Sequence, residues 1–394
     1  MRTARIAIVG AGLSGLYAAW LLERQGVQDY VLLEARDALG GRIASVDASG
    51  RPASGSAAAS AIDRFDLGPT WFWPEYQREL HRLAVDLGLE RFEQFETGDT
   101  VVERSPSEAP LRMRGYVNSP ASMRLMGGMG ALVDALRGAL DPPRIVTGQV
   151  VRRLRNANSH VDLDSEDAVG HITTWRAEHV LLALPPRLAE KTIAFEPPLP
   201  QALAQQWRSI ATWMAPHAKY IAIYDTPFWR EQGLSGEARS ARGPLGEIHD
   251  ASMPGGSAAL FGFFGVPAQV RKTVSDEVLR THCRAQLARL FGPQAATPRA
   301  DVIKDWSQDP YTAVAADMDA AANHASAPDV TAESGPWRSR LTGIASEWSP
   351  QFPGYVAGAI EAASLGVQAV TSLVAPLVPI EEGLSSASVI ASRT

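Results

Sequence analysis

Three glycines near the start of the chain have the spacing of a phosphate-binding turn. Gly10, Gly12 and Gly15 form the pattern G-x-G-x-x-G between a short apolar stretch and a segment with helical periodicity. The first glycine of such a motif allows a tight turn, the second lets the backbone approach a pyrophosphate, and the third lets the helix pack closely on the strand. N–H groups at the helix start then point at the phosphate charge. The pattern therefore predicts a dinucleotide site.

An acid and a second pair of glycines extend this prediction. Glu34 follows the motif after about 20 residues, where an acid would bind both ribose hydroxyls and repel a 2′-phosphate. Gly40 and Gly41 then precede Arg42, whose planar guanidinium offers paired donors to phosphate oxygens. The first motif alone fits NAD and FAD equally well. The second glycine turn suits a second approach to the pyrophosphate, which favours FAD.

A lysine within an apolar strand is a further candidate for chemistry. Lys219 lies in the run HAKYIAIY and shares a strand face with Ile221 and Ile223, so it points where apolar side chains point. A lysine at a strand end is ordinarily solvated. From these residues alone, a buried and a solvated Lys219 both stay open.

Other chemistries and partners find little support in the composition. The eight histidines show no H-E-x-x-H spacing, and no G-x-S-x-G follows a strand, which argues against a catalytic metal and a serine hydrolase. Cys283 is the single cysteine, so an internal disulfide is excluded and a reducing, cytoplasmic location is expected. The formal net charge of −6 offers no basic face to nucleic acid.

Seven stretches together resemble the flavin-containing amine oxidases, the monoamine and polyamine oxidase group. They occur in one order over most of the chain and read IVGAGLSGLYAA, LLEARDALGGR, FDLGPTWF, HVLLALPP, KYIAIYDTPFW, DWSQDPYT and GYVAGAIEAA. The resemblance implies an α/β fold: a Rossmann-type FAD-binding domain of the glutathione reductase kind, built from discontinuous segments, with an inserted α+β substrate domain. It also implies FAD, a small amine substrate, O2 as acceptor and no membrane. A homodimer stays open.

The resemblance further implies a set of residues around FAD. The stretch 68–71 would approach the flavin and its ribityl chain, with Phe72 behind it in the core. Val150 would meet the adenine, Trp306 would pack beside the isoalloxazine ring, and Glu347 would bind the ribityl or phosphate region. The full implied set is Gly10, Gly12, Leu13, Ser14, Gly15, Glu34, Ala35, Arg36, Gly41, Arg42, Gly68, Pro69, Thr70, Trp71, Val150, Trp306, Tyr311, Ser346, Glu347, Gly354, Tyr355 and Val356.

Lys219 and Tyr355 are the implied catalytic residues. In the family, substrate hydride goes to flavin N5; Lys219 would face N5 through a water molecule and assist reoxidation by O2. Tyr355 would be one of two aromatic rings that cover the substrate. Counted from Trp306, the cysteine that binds flavin covalently in monoamine oxidases falls on Ala315, and the second ring falls on Ala316. We therefore expect non-covalent FAD and an incomplete cage.

Periodicity and turn residues predict the elements that hold these groups. A βαβ unit is expected from strand 5–9, helix 13–25 and strand 30–33. A surface loop is expected over 51–63, and the apolar stretch 365–380 falls short of the about 20 residues that a membrane helix needs. The other expected helices cover 77–89, 127–140, 201–210 and 276–291. Short strands are expected within 144–184, and a further strand over 217–224. Residues 341–370 are expected to form a strand, a loop and a helix that begins near Gly354.

Length and motif order predict two domains for the 394 residues. Residues 1–75, 126–208 and 306–394 are assigned to the FAD-binding domain, and residues 76–125 and 209–305 to the substrate-binding domain. The expected function is that of an FAD-dependent oxidase, which converts a small amine to an imine by hydride transfer to N5 and reduces O2 to H2O2. Two alternatives stay open: a related flavin desaturase or non-amine oxidase acting on a C–C or ring bond, and a non-catalytic flavin-binding interaction protein.

Overall fold

The structure is a computed structural model that describes residues 1–53, 62–318, 326–332 and 334–374. Most of the predicted surface loop 51–63 lies outside the described residues, and so does the end of the apolar stretch 365–380. The helices in the described part are α1 (Leu13–Arg24), α2 (Arg78–Asp86), α3 (Gly130–Gly138), α4 (Pro186–Thr192), α5 (Gln201–Ser209), α6 (Phe228–Glu231), α7 (Ala268–Arg271), α8 (Asp276–Phe291) and α9 (Val356–Val374).

The strands form three larger sheets and two short ribbons. In chain order they are β1 (Arg2–Thr3), β2 (Ile6–Val9), β3 (Tyr30–Leu33), β4 (Ser45–Asp47), β5 (Arg64–Asp66), β6 (Arg91–Glu93), β7 (Asp99–Glu103), β8 (Leu111–Arg114), β9 (Met123–Leu125), β10 (Ile145–Val146), β11 (Val150–Asn156), β12 (Val161–Glu166), β13 (Ile172–Ala177), β14 (His179–Leu182), β15 (Ala194–Glu196), β16 (Ala218–Tyr224), β17 (Leu234–Ser240), β18 (Leu245–Asp250), β19 (Ala258–Phe264), β20 (Ala300–Asp305) and β21 (Leu341–Gly343).

A parallel sheet of order β10-β3-β2-β14-β21 carries the predicted βαβ unit. Its central strands are buried along their whole length, because both faces of the sheet are covered. Ile6 and Ile8 face α1, α3 and α9, whereas Ala7 and Val9 face the second sheet, of order β1-β13-β12-β11-β15. The expected Rossmann-type α/β architecture is thus confirmed.

The third sheet is mixed and has the order β20-β16-β19-β18-β17-β7-β8. All seven strands come from residues 76–125 and 209–305, the stretches assigned above to a substrate-binding domain; those boundaries stay a prediction. Helix α8 packs on one face, where Tyr220 and Ala222 of β16 point. Ile221 and Ile223 point to the opposite face, against residues 44–48 and 65–71 of the N-terminal part. Lys219 lies in register with these two isoleucines and therefore points the same way.

Most predicted elements appear with small shifts at their ends. Helix α8 has the predicted bounds, α5 ends one residue early, and α2 is shorter than the predicted 77–89. The buried face of α2 holds Leu80, Leu83 and Ala84, while Val85 is 54% exposed. The closing helix α9 begins two residues after Gly354, which has a positive φ of 82°.

Helix α9 is long and apolar enough to cross a bilayer. Its packing inside the protein also accounts for its apolar composition. Half of the window from Val356 to Leu373 is buried within the protein. Its inner face includes Ile360, Ala363 and Val367, which join the core around α1. A helix that is buried against another helix and a sheet needs this apolar content without any membrane.

Candidate active site

One cavity of about 930 Å³ runs along the ends of β2 and β3, under residues 67–73 and up to the start of α9. This volume lies in the upper part of the range for ligand sites, about 300 to 1,000 Å³. Gly15 and Glu347 are the two residues of the implied set that do not line it. The implied residues on its wall are Gly10, Gly12, Leu13, Ser14, Glu34, Ala35, Arg36, Gly41, Arg42, Gly68, Pro69, Thr70, Trp71, Val150, Lys219, Trp306, Tyr311, Ser346, Gly354, Tyr355 and Val356.

The two glycine turns pack against each other at one end of the cavity. Gly10 has a φ of 102°, and a Cβ on Gly15 would lie 1.9 Å from the Gly10 carbonyl oxygen, so neither position tolerates a side chain. A Cβ on Gly41 would lie 3.1 Å from the Cα of Gly12. Gly15 therefore serves close packing of α1 on β2, as the motif predicts, while Gly12 and Gly41 leave bare backbone on the cavity wall.

Glu34 is held at the end of β3 by backbone donors. Its Oε2 accepts a hydrogen bond from Ala11 N at 2.7 Å, and its Oε1 accepts one from Arg36 N at 2.9 Å. The residue is 3% exposed and lines the cavity. A carboxylate accepts more than one bond per oxygen, so Glu34 retains acceptor capacity for hydroxyl groups placed in the cavity.

Arg36 joins this cradle to a distant part of the chain. Its guanidinium donates to Asp309 and, at 3.3 Å, to the Thr312 hydroxyl, and it lies 5.1 Å from the centre of the Tyr311 ring. Burial favours the neutral acid, but Lys304 and Arg36 outweigh it and lower the pKa of Asp309. Tyr311, which was predicted to line the cavity, is thus held next to the ion pairs of Asp309 with Arg36 and Lys304. The sequence motifs do not indicate these ion pairs.

Arg42 and Glu347 form a two-pronged ion pair. Arg42 Nη1 donates to Glu347 Oε1 at 2.6 Å, and Nη2 donates to Oε2 at 3.0 Å and to the Ser346 hydroxyl at 3.2 Å. Glu347 is 2% exposed and stands behind Arg42, off the cavity wall. The resemblance implied that Glu347 meets the cofactor, which stays a prediction; in the structure Glu347 orients Arg42, which lines the cavity.

Lys219 is almost fully buried at the other end of the cavity. Its Nζ donates to the Gly68 carbonyl at 3.1 Å and to the Thr70 hydroxyl at 2.6 Å, and lies 4.0 Å from the centre of the Phe261 ring. Burial lowers the pKa of Lys219 to about 7; the nearby Asp66 opposes this shift. The side chain therefore exchanges a proton near neutral pH, at a fixed place on the wall.

Aromatic residues form much of the wall around Lys219. Trp306 is 5% exposed and its Nε1 donates to Leu67 O at 3.1 Å. Trp71 donates to Gln94 Oε1 at 2.8 Å and meets His249 edge to face. Phe72 is 1% exposed and belongs to the core, as expected.

The structure does not bring Ala315 and Ala316 to the cavity. They begin the 3-10 helix Ala315–Asp317, are exposed, and are absent from the cavity wall. Counting residues from Trp306 therefore fails to locate a second aromatic wall. Sequence reasoning instead missed wall residues that no motif marks: Trp213, Met214 and His217 in the segment before β16, Arg239 on β17 and Glu247 on β18.

Glu247 is the missed residue with the clearest chemistry. Its Oε1 pairs with His249 Nε2 at 2.7 Å, and its Oε2 accepts from Arg239 Nη1 at 2.8 Å. The hydrogen bond from His249 is the main cause that lowers the pKa of Glu247. This carboxylate is thus charged and already paired on both oxygens.

Comparison with known proteins defines the class. Residues 107–371 match the family model described as flavin containing amine oxidoreductase, and residues 8–87 match that of an NAD(P)-binding Rossmann-like domain. The first match covers more than half of the chain, so the chain belongs to the flavin-containing amine oxidoreductase family. The cofactor of this class is FAD, and the bare glycine backbone, Glu34 and Arg42 fit a dinucleotide.

Three relatives illustrate the likeness. The chain is 28% identical to putrescine oxidase of Kocuria rosea over 244 residues, which are 57% of this chain and 48% of that protein. It is 23% identical to amine oxidase B of Sus scrofa over 405 residues, covering 78% and 75% of the two chains. The structure of cyclohexylamine oxidase from Brevibacterium oxydans superposes with a TM-score of 0.75 at 20% identity, covering 94% and 99%. The chain thus spans about half of the Kocuria protein, while the structural match shows a shared fold.

We expect Glu34→Gln to weaken FAD binding by roughly tenfold to a hundredfold, the equivalent of about 1.5 to 3 kcal/mol for a lost charge-assisted contact. A glutamine amide would also turn a donor toward Ala11 N or Arg36 N. The dissociation constant is measured by quenching of FAD fluorescence on titration with apoprotein. Glu178→Gln, an exposed acid paired with Arg5, is the control. Equal affinity in wild type and Glu34→Gln would show that Glu34 does not contact the cofactor.

Proposed function

We propose that this protein is an FAD-dependent oxidase of small amines. The observation that carries the proposal is that one cavity connects the dinucleotide cradle to Lys219, Trp306 and Tyr355. The cradle end supplies bare backbone and an acid, and the far end supplies an aromatic surface and the buried amine of Lys219. Family membership supports the amine as substrate class.

The residues that would hold FAD lie at the cradle end. Gly12 and Gly41 would meet the pyrophosphate, Glu34 the ribose, and Arg42, fixed by Glu347, the phosphates or ribityl chain. When bound, FAD supplies a two-electron acceptor whose N5 takes a hydride from the carbon next to the amine nitrogen, and whose reoxidation by O2 yields H2O2. The resulting imine is hydrolysed by water to a carbonyl compound and ammonia or a smaller amine.

The aromatic end of the cavity would receive the amine. An ammonium ion has no lone pair to stabilise the cationic imine, so the reacting amine must be neutral. A site with aromatic walls such as Trp71, Phe263 and the buried Trp306 favours that neutral form, because burial penalises charge. The chain thus acts mainly by positioning and by excluding water.

Lys219 would act on the oxidative half of the cycle. Its Nζ is fixed by Gly68 and Thr70, and its proton is available near neutral pH. Electron transfer to O2 creates negative charge, which a positioned ammonium stabilises. We assign this role to Lys219 because it is buried in the wall of the same cavity.

We propose that FAD is bound without a covalent link. The attachment position counted from the sequence holds Ala315, which has no nucleophile and lies away from the cavity, and Cys283 lies on the buried face of α8. Acid denaturation of the yellow protein is expected to release all of its flavin as intact FAD, measured in the supernatant by chromatography. Flavin retained in the precipitated polypeptide would contradict this assignment.

The substrate class is tested by anaerobic bleaching of the bound flavin. A panel of cyclohexylamine, a linear primary amine, a secondary amine and putrescine is expected to include at least one compound that bleaches the flavin at saturating concentration. Readmitted O2 should then restore the yellow colour and form one H2O2 per flavin reduced. tert-Butylamine is the matched control, since it has no hydrogen on the carbon that bears nitrogen.

The rival functions give different results in the same experiment. A desaturase or non-amine oxidase would stay yellow with every amine but would bleach with a substrate that has an oxidisable C–C or ring bond. A non-catalytic flavin-binding protein would stay yellow with both classes. No bleaching by any amine would overturn the proposed function.

A further inference from the structure

The segment 212–217, just before β16, holds a strained turn on the cavity wall. Ala215 N donates to Thr212 O at 3.1 Å, and His217 N donates to Met214 O at 3.0 Å. Met214 has a φ of 64°, a conformation that is uncommon for residues other than glycine, asparagine and aspartate. Trp213, Met214 and His217 all line the cavity. Glycine would adopt this φ without strain, so the presence of methionine at this position indicates that its side chain has a function.

A buried ion pair fixes this turn from behind. Thr212 N donates to Asp317 Oδ1 at 3.0 Å, and Arg187 Nη1 donates to the same oxygen at 2.7 Å. Arg187 also donates to the carbonyls of Arg208 and Ser209. Because these partners are nearly inaccessible, the backbone of the turn is held rigidly while its side chains face the cavity.

Trp213 stands directly against the start of the closing helix. A Cβ built on Gly354 would lie 2.7 Å from the Trp213 Cβ and 3.1 Å from its Cγ, so only a glycine lets the indole approach this closely. Tyr355 follows Gly354 and lines the same cavity. The indole and the phenol ring therefore belong to one stretch of wall, although they come from segments about 140 residues apart.

We propose that Trp213 and Met214 form the wall that selects the apolar body of the amine, so that this turn, and not the segment around Ala316, determines how large a substrate is accepted. This inference rests on the proposed function. Met214, held at a positive φ, would limit the width of the cavity at this turn, and Trp213, which packs on Gly354, would supply a flat apolar surface. The ligand class is an amine on a compact hydrocarbon group.

Binding of two amines that cannot be oxidised tests the wall without requiring turnover. tert-Butylamine and 1-adamantylamine both lack a hydrogen on the carbon that bears nitrogen, and they differ mainly in the size of the hydrocarbon. Their dissociation constants are measured on the FAD-loaded protein from changes in the flavin absorption spectrum. Met214→Gly removes the side chain while suiting the positive φ, so the backbone of the turn is retained.

Met214→Gly is expected to shift the ratio of the two dissociation constants in favour of 1-adamantylamine by about tenfold, as removal of a contacting apolar side chain does. Trp213→Leu, which keeps the packing on Gly354 but removes the ring, should shift the same ratio. Ser339→Gly is the matched control: it changes an exposed residue with a φ of 58° that is not on the cavity wall, and its ratio should equal that of wild type.

Ratios within twofold of wild type in both Met214→Gly and Trp213→Leu would overturn the inference. A shift in Ser339→Gly as large as that in Met214→Gly would overturn it too, since relief of backbone strain would then explain the result. Failure of the proposed function is distinct, because it appears as the absence of bleaching by oxidisable amines and leaves these binding ratios measurable.

Discussion

The buried amine of Lys219 is the interaction on which the cavity depends. It lies at the start of β16 in the mixed sheet, yet both of its hydrogen-bond acceptors, Gly68 O and Thr70 Oγ1, belong to the segment that follows β5. A buried amine without partners is costly, so this pairing holds the mixed sheet against the N-terminal segment. The same contacts set where the nitrogen lies in the cavity.

Two ion pairs likewise join distant segments of the chain at the opposite end of the cavity. Arg42 reaches Glu347 and Arg36 reaches Asp309, and each pair joins the N-terminal βαβ region to residues of the C-terminal third. The cavity is therefore enclosed by segments that are far apart in sequence and tied by buried hydrogen bonds. Buried pairs of this kind specify one arrangement more than they add stability.

Local sequence signals predicted the parts of the molecule that repeat a regular pattern. The βαβ unit, helix α8 and the strand face that Lys219 shares with Ile221 and Ile223 follow from strand and helix periodicity. The cradle follows from glycine spacing, because only glycine allows the close backbone approaches at Gly10 and Gly15. These features depend on neighbours in sequence, which is why they could be inferred from sequence alone.

The rest of the site depends on contacts between distant segments. Met214 lies in a turn with a positive φ, a conformation that a glycine in the sequence would ordinarily indicate. Because the residue is methionine, the local sequence did not predict this turn or its place on the cavity wall. Counting from Trp306 placed a cage position on Ala316, but the chain leaves the cavity after Thr312 to form the turn that contacts Arg187. Glu347 was expected at the cofactor, and only the structure shows that it pairs with Arg42 and lies off the cavity wall.

The most direct test is the pH dependence of O2 reoxidation after chemical reduction of the bound FAD, compared between wild type and Lys219→Met. Lys219 carries its charge below about pH 7 and loses it above, so the wild-type rate should fall as the pH rises through 7. The charged groups that act on Lys219 are Asp66 and Arg124. Burial and Arg271 lower the pKa of the nearby His217. Lys219→Met should be roughly 10²- to 10³-fold slower at low pH and lack this transition, with exposed Lys272→Met as the control. Equal rates and equal pH profiles in wild type and Lys219→Met would contradict the account.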